Sequence, residues 1–186
     1  MNEKLTELVF ILDRSGSMSG LESDTIGGFN AMISRQKEGE GQAIVTTVLF
    51  NDQSILLHDR IDIRGVEPIS HNDYQVGGST ALLDAIGLAI NKIVNAHRHT
   101  AVEQRAARVL FVITTDGLEN ASRRFTIGQI NRMIERQQEK YHWEFIFLGA
   151  NIDAIDTAES FGIKPNRSAN YRADSCLLYT SDAADE

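Results

Sequence analysis

Two uninterrupted apolar runs, each leading into an aspartate, constrain the fold of this chain more than any other feature. The first run covers residues 8–12 and is followed by Asp13, and the second covers residues 109–113 and reaches Asp116 after two threonines. Strands that are apolar at every position are typical of parallel sheets, which helices cover on both faces. Ligands of open α/β sheets bind outside the carboxyl ends of the strands. Both aspartates are therefore predicted to lie at the ligand-binding end of such a sheet.

The loop after the first run has the spacing Asp-x-Ser-x-Ser, formed by Asp13, Ser15 and Ser17. Alternate side chains on an extended or turning backbone can converge on one point. Carboxylate and hydroxyl oxygens at one point indicate a hard cation. The spacing therefore predicts a metal site in this loop.

Other kinds of site fit this loop less well. A phosphate-binding loop needs a lysine that is absent here, and the dinucleotide fingerprint Gly-x-Gly-x-x-Gly is also absent. Residues 16–20 are close to the nucleophile elbow Gly-x-Ser-x-Gly, but Met18 takes the place of the nucleophile. An aspartyl-phosphate enzyme is expected to carry a second carboxylate where Ser15 stands. The metal site remains the best interpretation.

Two further segments complete a set of three motifs. Residues 77–84 form a glycine-rich turn that leads through Thr80 into a helical pattern, and residues 109–117 form the second apolar strand with its Asp116-Gly117 turn. With the Asp-x-Ser-x-Ser loop, they resemble the von Willebrand factor type A (VWA) domain and its metal-ion-dependent adhesion site (MIDAS). The resemblance runs from about residue 5 to residue 171. It is greatest to small, stand-alone bacterial VWA proteins.

The resemblance implies a specific ligand set and a specific function. The hydroxyls of Ser15, Ser17 and Thr80 would ligate Mg²⁺ or Mn²⁺, and Asp13 and Asp116 would bind the ion directly or through water. A protein partner would supply an Asp or Glu carboxylate as a further ligand. We therefore expect a metal-dependent protein-interaction module rather than an enzyme. The alternatives are a metal-dependent phosphoester hydrolase and a structural VWA subunit of a larger, ATPase-linked assembly.

Each candidate ligand also has a purely structural role available. Asp13 and Asp116 could cap turns, Thr80 could cap its helix, and Ser15 and Ser17 could be ordinary loop residues. The metal interpretation rests on all five occurring together at the ends of predicted strands and helices. The hydrolase alternative lacks a lysine or arginine within the motifs and a histidine close to them.

Alternating strand and helix patterns predict an α/β fold with a doubly wound, Rossmann-like sheet. The sheet is expected to be mostly parallel, with helices on both faces and one antiparallel edge strand formed by a hairpin. Helices are predicted at residues 25–37 (capped by Ser23 or Asp24), 80–95, 126–140 (opened by a Thr126–Gln129 capping box) and 153–161. Strands are predicted at residues 8–12, 42–50, 54–58, 109–115, 143–148 and 168–171, and residues 61–74 are predicted to be a surface loop.

Composition limits the classes of partner and the compartment. The 186 residues are 42% hydrophobic, with a formal net charge of -8 that argues against a nucleic-acid partner. A single cysteine, Cys176, offers no internal disulfide, and we find no segment apolar and long enough for a membrane span. The expected location is therefore cytoplasmic.

The end of the chain differs in pattern from the rest. Residues 175–186 continue no periodic pattern and are predicted to be a non-native or disordered tail. The VWA domain is expected to cover residues 1–174, without the final helix that such domains carry.

Overall fold

The computed structural model describes residues 1–116, 119–149, 153–163 and 168–170. The strands are β1 Asn2–Asp13, β2 Gln42–Phe50, β3 Ser54–Asp62, β4 Ala106–Thr115, β5 Glu144–Gly149 and β6 Ser168–Asn170. The helices are α1 Glu22–Glu38, α2 Leu82–Arg98, α3 Ile127–Tyr141 and α4 Asp153–Ser160. This alternation of strands and helices confirms the predicted α/β class.

The strands form one sheet in the order β3-β2-β1-β4-β5-β6. The pairings of β1 with β2 and β4, of β4 with β5, and of β5 with β6 are parallel, whereas β2 and β3 pair antiparallel. The doubly wound, mostly parallel sheet with one antiparallel edge strand is therefore confirmed. Because β1 is flanked on both sides by parallel strands, its carboxyl end lies beside the carboxyl ends of β2 and β4.

Alternate residues of β1 contribute to two separate cores. Val9 and Ile11 pack with buried residues of α2, α3 and α4, whereas Leu8, Phe10 and Leu12 pack with buried residues of α1. Side chains of a strand point alternately to the two faces of a sheet, so this division places helices on both faces. It also explains why residues 8–12 are apolar without interruption.

The start of α1 differs from the prediction. The helix begins at Glu22, its N-cap residue is Leu21 rather than Ser23 or Asp24, and no side chain caps it. The chain enters α1 from a short 3₁₀ turn, Gly16–Met18, and both predicted caps lie inside the first turn of the helix. An aspartate there still favours the helix through its charge, because the amino end of a helix is partially positive.

Residues 63–74 are more buried than a surface loop. A 3₁₀ turn, Ile63–Gly65, begins the segment. Four of its side chains lie in the core that contains the buried face of α1: Ile63, Val66, Ile69 and Tyr74. Their spacing follows neither the strand period nor the helix period, so pattern analysis could not identify them.

Strand β1 begins six residues before the predicted start. The other predicted elements agree with the structure to within four residues, and the capping box of α3 is present in full. The predicted tail, the missing final helix and Tyr171 lie outside the described residues. Within the part of the chain that the structure describes, no helix has the length and apolar character needed to cross a bilayer.

Candidate metal centre

Asp13 is the last residue of β1, and its side chain is fully buried. One carboxylate oxygen accepts a hydrogen bond from the Ser15 backbone amide at 2.8 Å, and the other accepts one from the Thr115 hydroxyl at 2.7 Å. The Tyr74 hydroxyl donates to the Asp13 backbone carbonyl. These contacts hold the carboxylate at the carboxyl end of the sheet.

Burial raises the pKa of Asp13 above its ordinary value. Hydrogen bonds from Ser15 and Thr115 lower this pKa, and the negative charge of Asp116 raises it further, so that the net shift is upward. A buried carboxylate beside another carboxylate is stabilised in its charged form by any cation placed between them. The electrostatics of Asp13 are therefore suited to a cation.

The two serines continue from Asp13 into the 3₁₀ turn. Ser15 is buried and Ser17 is exposed, and their hydroxyl oxygens lie 3.1 Å apart. Met18 is fully buried, so the turn does not present its thioether to solvent as the nucleophile-elbow comparison suggested. This segment therefore offers one buried and one exposed hydroxyl close together.

Backbone hydrogen bonds join the Thr80 loop to the serine loop. Gly16 N donates to Gly78 O at 3.0 Å, and Gly77 N donates to Arg14 O at 2.9 Å. Gly78 has φ +79°, and a Cβ there would lie 2.3 Å from Oδ1 of Asp52. The left-handed backbone therefore favours glycine at this position, and any Cβ there would also displace the exposed Asp52 carboxylate.

Thr80 is almost completely buried and lies just before α2. The N-cap residue of α2 is Ala81, and no side chain caps the helix. Thr80 therefore does not cap α2, which was the purely structural role considered for it.

The loop after β4 joins the same group. Asp116 is buried, and the backbone amides of Asn120 and Ala121 donate to Thr80 O at 3.0 and 3.1 Å. The Asn120 side chain in turn accepts from Thr80 N at 2.9 Å. Asp116 also acts electrostatically on Asp13. The fold therefore brings the three motif loops to one end of the sheet.

Several residues that support these loops were not predicted as part of the site. Thr115 supports the Asp13 carboxylate, and Tyr74 supports the Asp13 carbonyl. The Asn51 side-chain amide donates to Gly77 O, and the Asn51 backbone carbonyl accepts from Ala81 N. The observed register pairs Leu12 with Thr114, one residue beyond the pairing obtained by aligning the ends of the two apolar runs, so the sequence pattern did not identify Thr115. Thr115 is the next residue along β4, at the level of Asp13.

Two acidic side chains beside the motif loops, Asp84 and Glu119, stabilise the loop after β4. The Asp84 carboxylate accepts from the backbone amides of Arg123, Arg124 and Phe125 at 2.9 to 3.0 Å. Glu119 accepts from Leu83 N at 2.9 Å and from the Ser122 backbone and hydroxyl. Both carboxylates therefore fix the segment after β4 against the amino end of α2.

A second buried carboxylate on β1 was not singled out from the sequence. Glu7 is fully buried and forms a bidentate ion pair with Arg60. Arg60 Nε donates to Glu7 Oε1 at 2.6 Å, and Arg60 Nη2 donates to Glu7 Oε2 at 3.3 Å. His97 Nε2 lies 2.7 Å from Glu7 Oε2. Burial alone would raise the pKa of Glu7, but the hydrogen bonds from His97 and Arg60 outweigh it and lower that pKa. His97, in the last turn of α2, therefore binds a buried acid.

The donor chemistry of the five candidate residues fits a hard cation. Three hydroxyls and two carboxylates are oxygen ligands of the kind that Mg²⁺ and Mn²⁺ accept alongside water. Among the described residues, no group of three or more His, Cys, Asp or Glu is arranged to hold a metal. A metal held here would therefore depend on the hydroxyls as well as on the carboxylates.

Comparison with solved structures gives several matches over most of the chain. The manganese-loaded TRAP protein of Plasmodium vivax is 18% identical, with a TM-score of 0.67 over 91% of this chain and 69% of that one. A D319A mutant of the PilB minor pilin of Streptococcus sanguinis is 11% identical, with a TM-score of 0.64 over 91% of this chain and 57% of that one.

A third match is proximal thread matrix protein 1 of the mussel byssus, which is 12% identical, with a TM-score of 0.58 over 90% of this chain and 42% of that one. No family model matches the sequence, and the search of curated proteins gives no match. At these identities the likeness concerns the fold.

Proposed function

We propose that this chain, which has the von Willebrand factor type A fold, is a metal-dependent protein-interaction module. A divalent cation, Mg²⁺ or Mn²⁺, is held by Asp13, Ser15, Ser17, Thr80 and Asp116. A protein partner contributes an Asp or Glu carboxylate to that cation.

The observation that carries the proposal is the convergence of the three motif loops. Asp13, Ser15, Thr80 and Asp116 are all buried at the carboxyl end of the sheet, while Ser17 beside them is exposed. A site with buried ligands and one exposed side is suited to an ion that also meets a partner. The manganese-loaded state of the TRAP protein adds support from a chain of the same fold.

The chain's own residues divide the work in this proposal. The carboxylates of Asp13 and Asp116 supply the negative charge that retains a dication, because neutral hydroxyls are weaker ligands. Thr115 and the Ser15 amide hold the Asp13 carboxylate in one orientation. When bound, the cation supplies an electrophilic position that attracts a carboxylate.

The proposal assigns no catalytic residue. In the described part of the chain, histidine side chains hydrogen-bond with Ser23, Thr47, Glu7 and the Asn95 carbonyl, and none does so with the five candidate ligand residues.

Isothermal titration with Mg²⁺ and with Mn²⁺, in buffer free of carboxylates, tests the proposal. We expect saturable binding by the wild type and its loss in Asp13→Ala and Asp116→Ala, because each change removes a charge that holds the ion. Asp52→Asn is the matched control, since Asp52 is an exposed acid at the same end of the sheet. Wild-type affinity in Asp13→Ala would contradict the assignment.

Thr80→Ala separates metal binding from partner binding. Loss of one neutral hydroxyl should leave metal binding measurable and should mainly weaken binding of a carboxylate ligand, for which acetate and a glutamate-containing peptide are the probes. Repeating the titrations with acetate present tests whether the carboxylate and the cation bind together. If acetate has no effect on the apparent metal affinity of the wild type, the carboxylate-binding role is wrong.

A further inference from the structure

A groove of about 670 Å³ lies between α2 and α3, away from the candidate metal centre. It extends to the amino ends of the strands, where Met1, Ala106 and Trp143 line it. The candidate metal residues lie at the carboxyl ends. The groove is therefore a separate surface that the proposed function does not use.

The groove combines an apolar floor with positively charged walls. Apolar side chains that line it are Ile90, Val94, Val109, Phe125, Met133 and Trp143. Its cationic side chains are Arg98, Arg105, Arg132, Arg136 and Lys140. No aspartate or glutamate is among the described residues that line it. In a chain with a net charge of -8, this local separation of charge favours an acidic ligand.

Three of the cations lie along one line of α3. Arg132, Arg136 and Lys140 follow each other at four-residue intervals. Since a helix rises about 1.5 Å per residue, they are spaced about 6 Å apart along its axis. Like charges at this spacing repel each other and destabilise an isolated helix. Glu135 and Glu139, three residues after Arg132 and Arg136, offset part of this repulsion, and the carboxyl end of α3 favours Lys140.

Three of the five cations are available to a ligand, whereas Arg105 donates to the Thr100 carbonyl and Lys140 lies 5.4 Å from the centroid of the Tyr141 ring. Within the residues that the structure describes, the side chains of Arg98, Arg132 and Arg136 form no hydrogen bond or ion pair. The acidic residues of α3, Glu135 and Glu139, lie three residues after Arg132 and Arg136 and line a second depression next to this row of cations. Gln137 also lines the groove, is buried, and has a side-chain oxygen without a hydrogen-bond partner among the described residues.

We propose that this groove binds an acidic amphipathic helix of a protein partner. A helix lying along α3 presents carboxylates at the same four-residue interval, so that each faces one cation of the line. The apolar side of the same helix covers the partly exposed floor residues Val94, Phe125 and Met133. A small anion would occupy only one of the cations, and a purely polar polyanion would leave the apolar floor exposed.

The test uses a fluorescently labelled helical peptide of roughly 18 residues, long enough to form a helix. Leu residues form one face of the peptide helix, and Glu residues at positions i, i+4 and i+8 form a row along the edge of that face. We expect saturable binding to the wild-type protein that weakens as salt is raised. The double variant R132E/R136E should bind at least about tenfold more weakly, since two opposite-charge contacts become repulsive.

Three controls decide the result. R123E/R124E makes the same change of net charge at exposed arginines outside the groove and should leave binding unchanged. A peptide with Lys in place of Glu should bind to the R132E/R136E variant more tightly than it binds to the wild-type protein. A poly-glutamate peptide without Leu should bind more weakly than the amphipathic one.

Four outcomes would overturn the proposal. In the first, R123E/R124E weakens peptide binding as much as R132E/R136E does. In the second, poly-glutamate binds as tightly as the Leu/Glu peptide, and in the third the Leu/Glu peptide shows no saturable binding. In the fourth, sedimentation shows that the wild type is a dimer and that R132E/R136E dissociates it. The last outcome would make a second copy of this chain the occupant. Circular dichroism melting of each variant confirms that the exposed substitutions leave the fold intact.

Discussion

Strand β1 carries two fully buried carboxylates on one face of the sheet, and their surroundings are opposite in charge. Glu7 is bound by Arg60 and His97, and its pKa is lowered. Asp13, six residues further along, is bound by an amide and a hydroxyl beside Asp116, and burial raises its pKa. The comparison teaches that burial alone does not identify a functional carboxylate. The Glu7 charge is compensated by cationic side chains, whereas no cationic side chain in the part of the chain that the structure describes forms an ion pair with Asp13.

The largest expected effect is from removing Glu7. Glu7→Ala leaves the Arg60 guanidinium without its buried partner and should lower the free energy of unfolding by about 3 kcal/mol. Urea denaturation followed by circular dichroism measures this. Glu7→Gln keeps the volume and some hydrogen bonds, so its loss should be smaller. Equal stability of the wild type and Glu7→Ala would show that the cluster contributes no net stability.

Acid should remove the contribution of Glu7. Because the pKa of Glu7 is lower in the folded state than in the unfolded state, its stabilising contribution is complete above the unfolded value of about 4.3. That contribution is lost as the pH falls through the folded-state pKa. The stability difference between wild type and Glu7→Gln, measured by urea denaturation from pH 7 to pH 3, should therefore shrink in acid. A difference independent of pH would contradict the lowered pKa.

Thr115→Val tests the support of Asp13. The change removes the hydroxyl that donates to Asp13 Oδ2 while keeping the branched shape of the side chain. We expect stability to fall by about 1 kcal/mol. Metal affinity in titration calorimetry should fall as well, because one carboxylate oxygen loses its fixed orientation. Thr114→Val is the control, since the neighbouring hydroxyl makes no hydrogen bond with Asp13.

The smallest effect on stability is expected at Asp13 itself. Without metal, Asp13→Asn should change the free energy of unfolding by less than about 1 kcal/mol, because an amide can keep one bond to Ser15 and one to Thr115. Metal binding should nevertheless be lost. If Asp13→Asn destabilised the metal-free protein as much as Glu7→Ala, the contrast between the two carboxylates would be wrong.

Much of the fold could be predicted because local and global signals agree. The apolar runs at residues 8–12 and 109–113 belong to strands buried on both faces, and the short hairpin connection after residue 50 required the antiparallel edge. The capping box at Thr126 marked the start of α3. In contrast, the start of α1 depends on the preceding 3₁₀ turn, which no periodic pattern reports.

The candidate site was predictable in its loops and less so in its supports. Asp13, Ser15 and Thr80 belong to motifs whose spacing is visible in the sequence. Tyr74 reaches Asp13 across 61 residues, and Glu7 meets Arg60 across 53 residues, so neither contact has a local signal. Such contacts depend on strand register and on the path of loops. The role of the five candidate ligands in metal binding stays a prediction.

The irregularity of β3 at Arg60 has a consequence for self-association. Thr47 pairs with His58 and Val45 with Ile61, so two residues of β3 oppose one residue of β2, and Arg60 adopts φ +50° there. Such a bulge bends an edge strand and interrupts its row of free backbone groups. The same local distortion that directs Arg60 to Glu7 thus makes this edge, with its exposed Ile55 and Leu56, a poor template for adding a strand from another molecule.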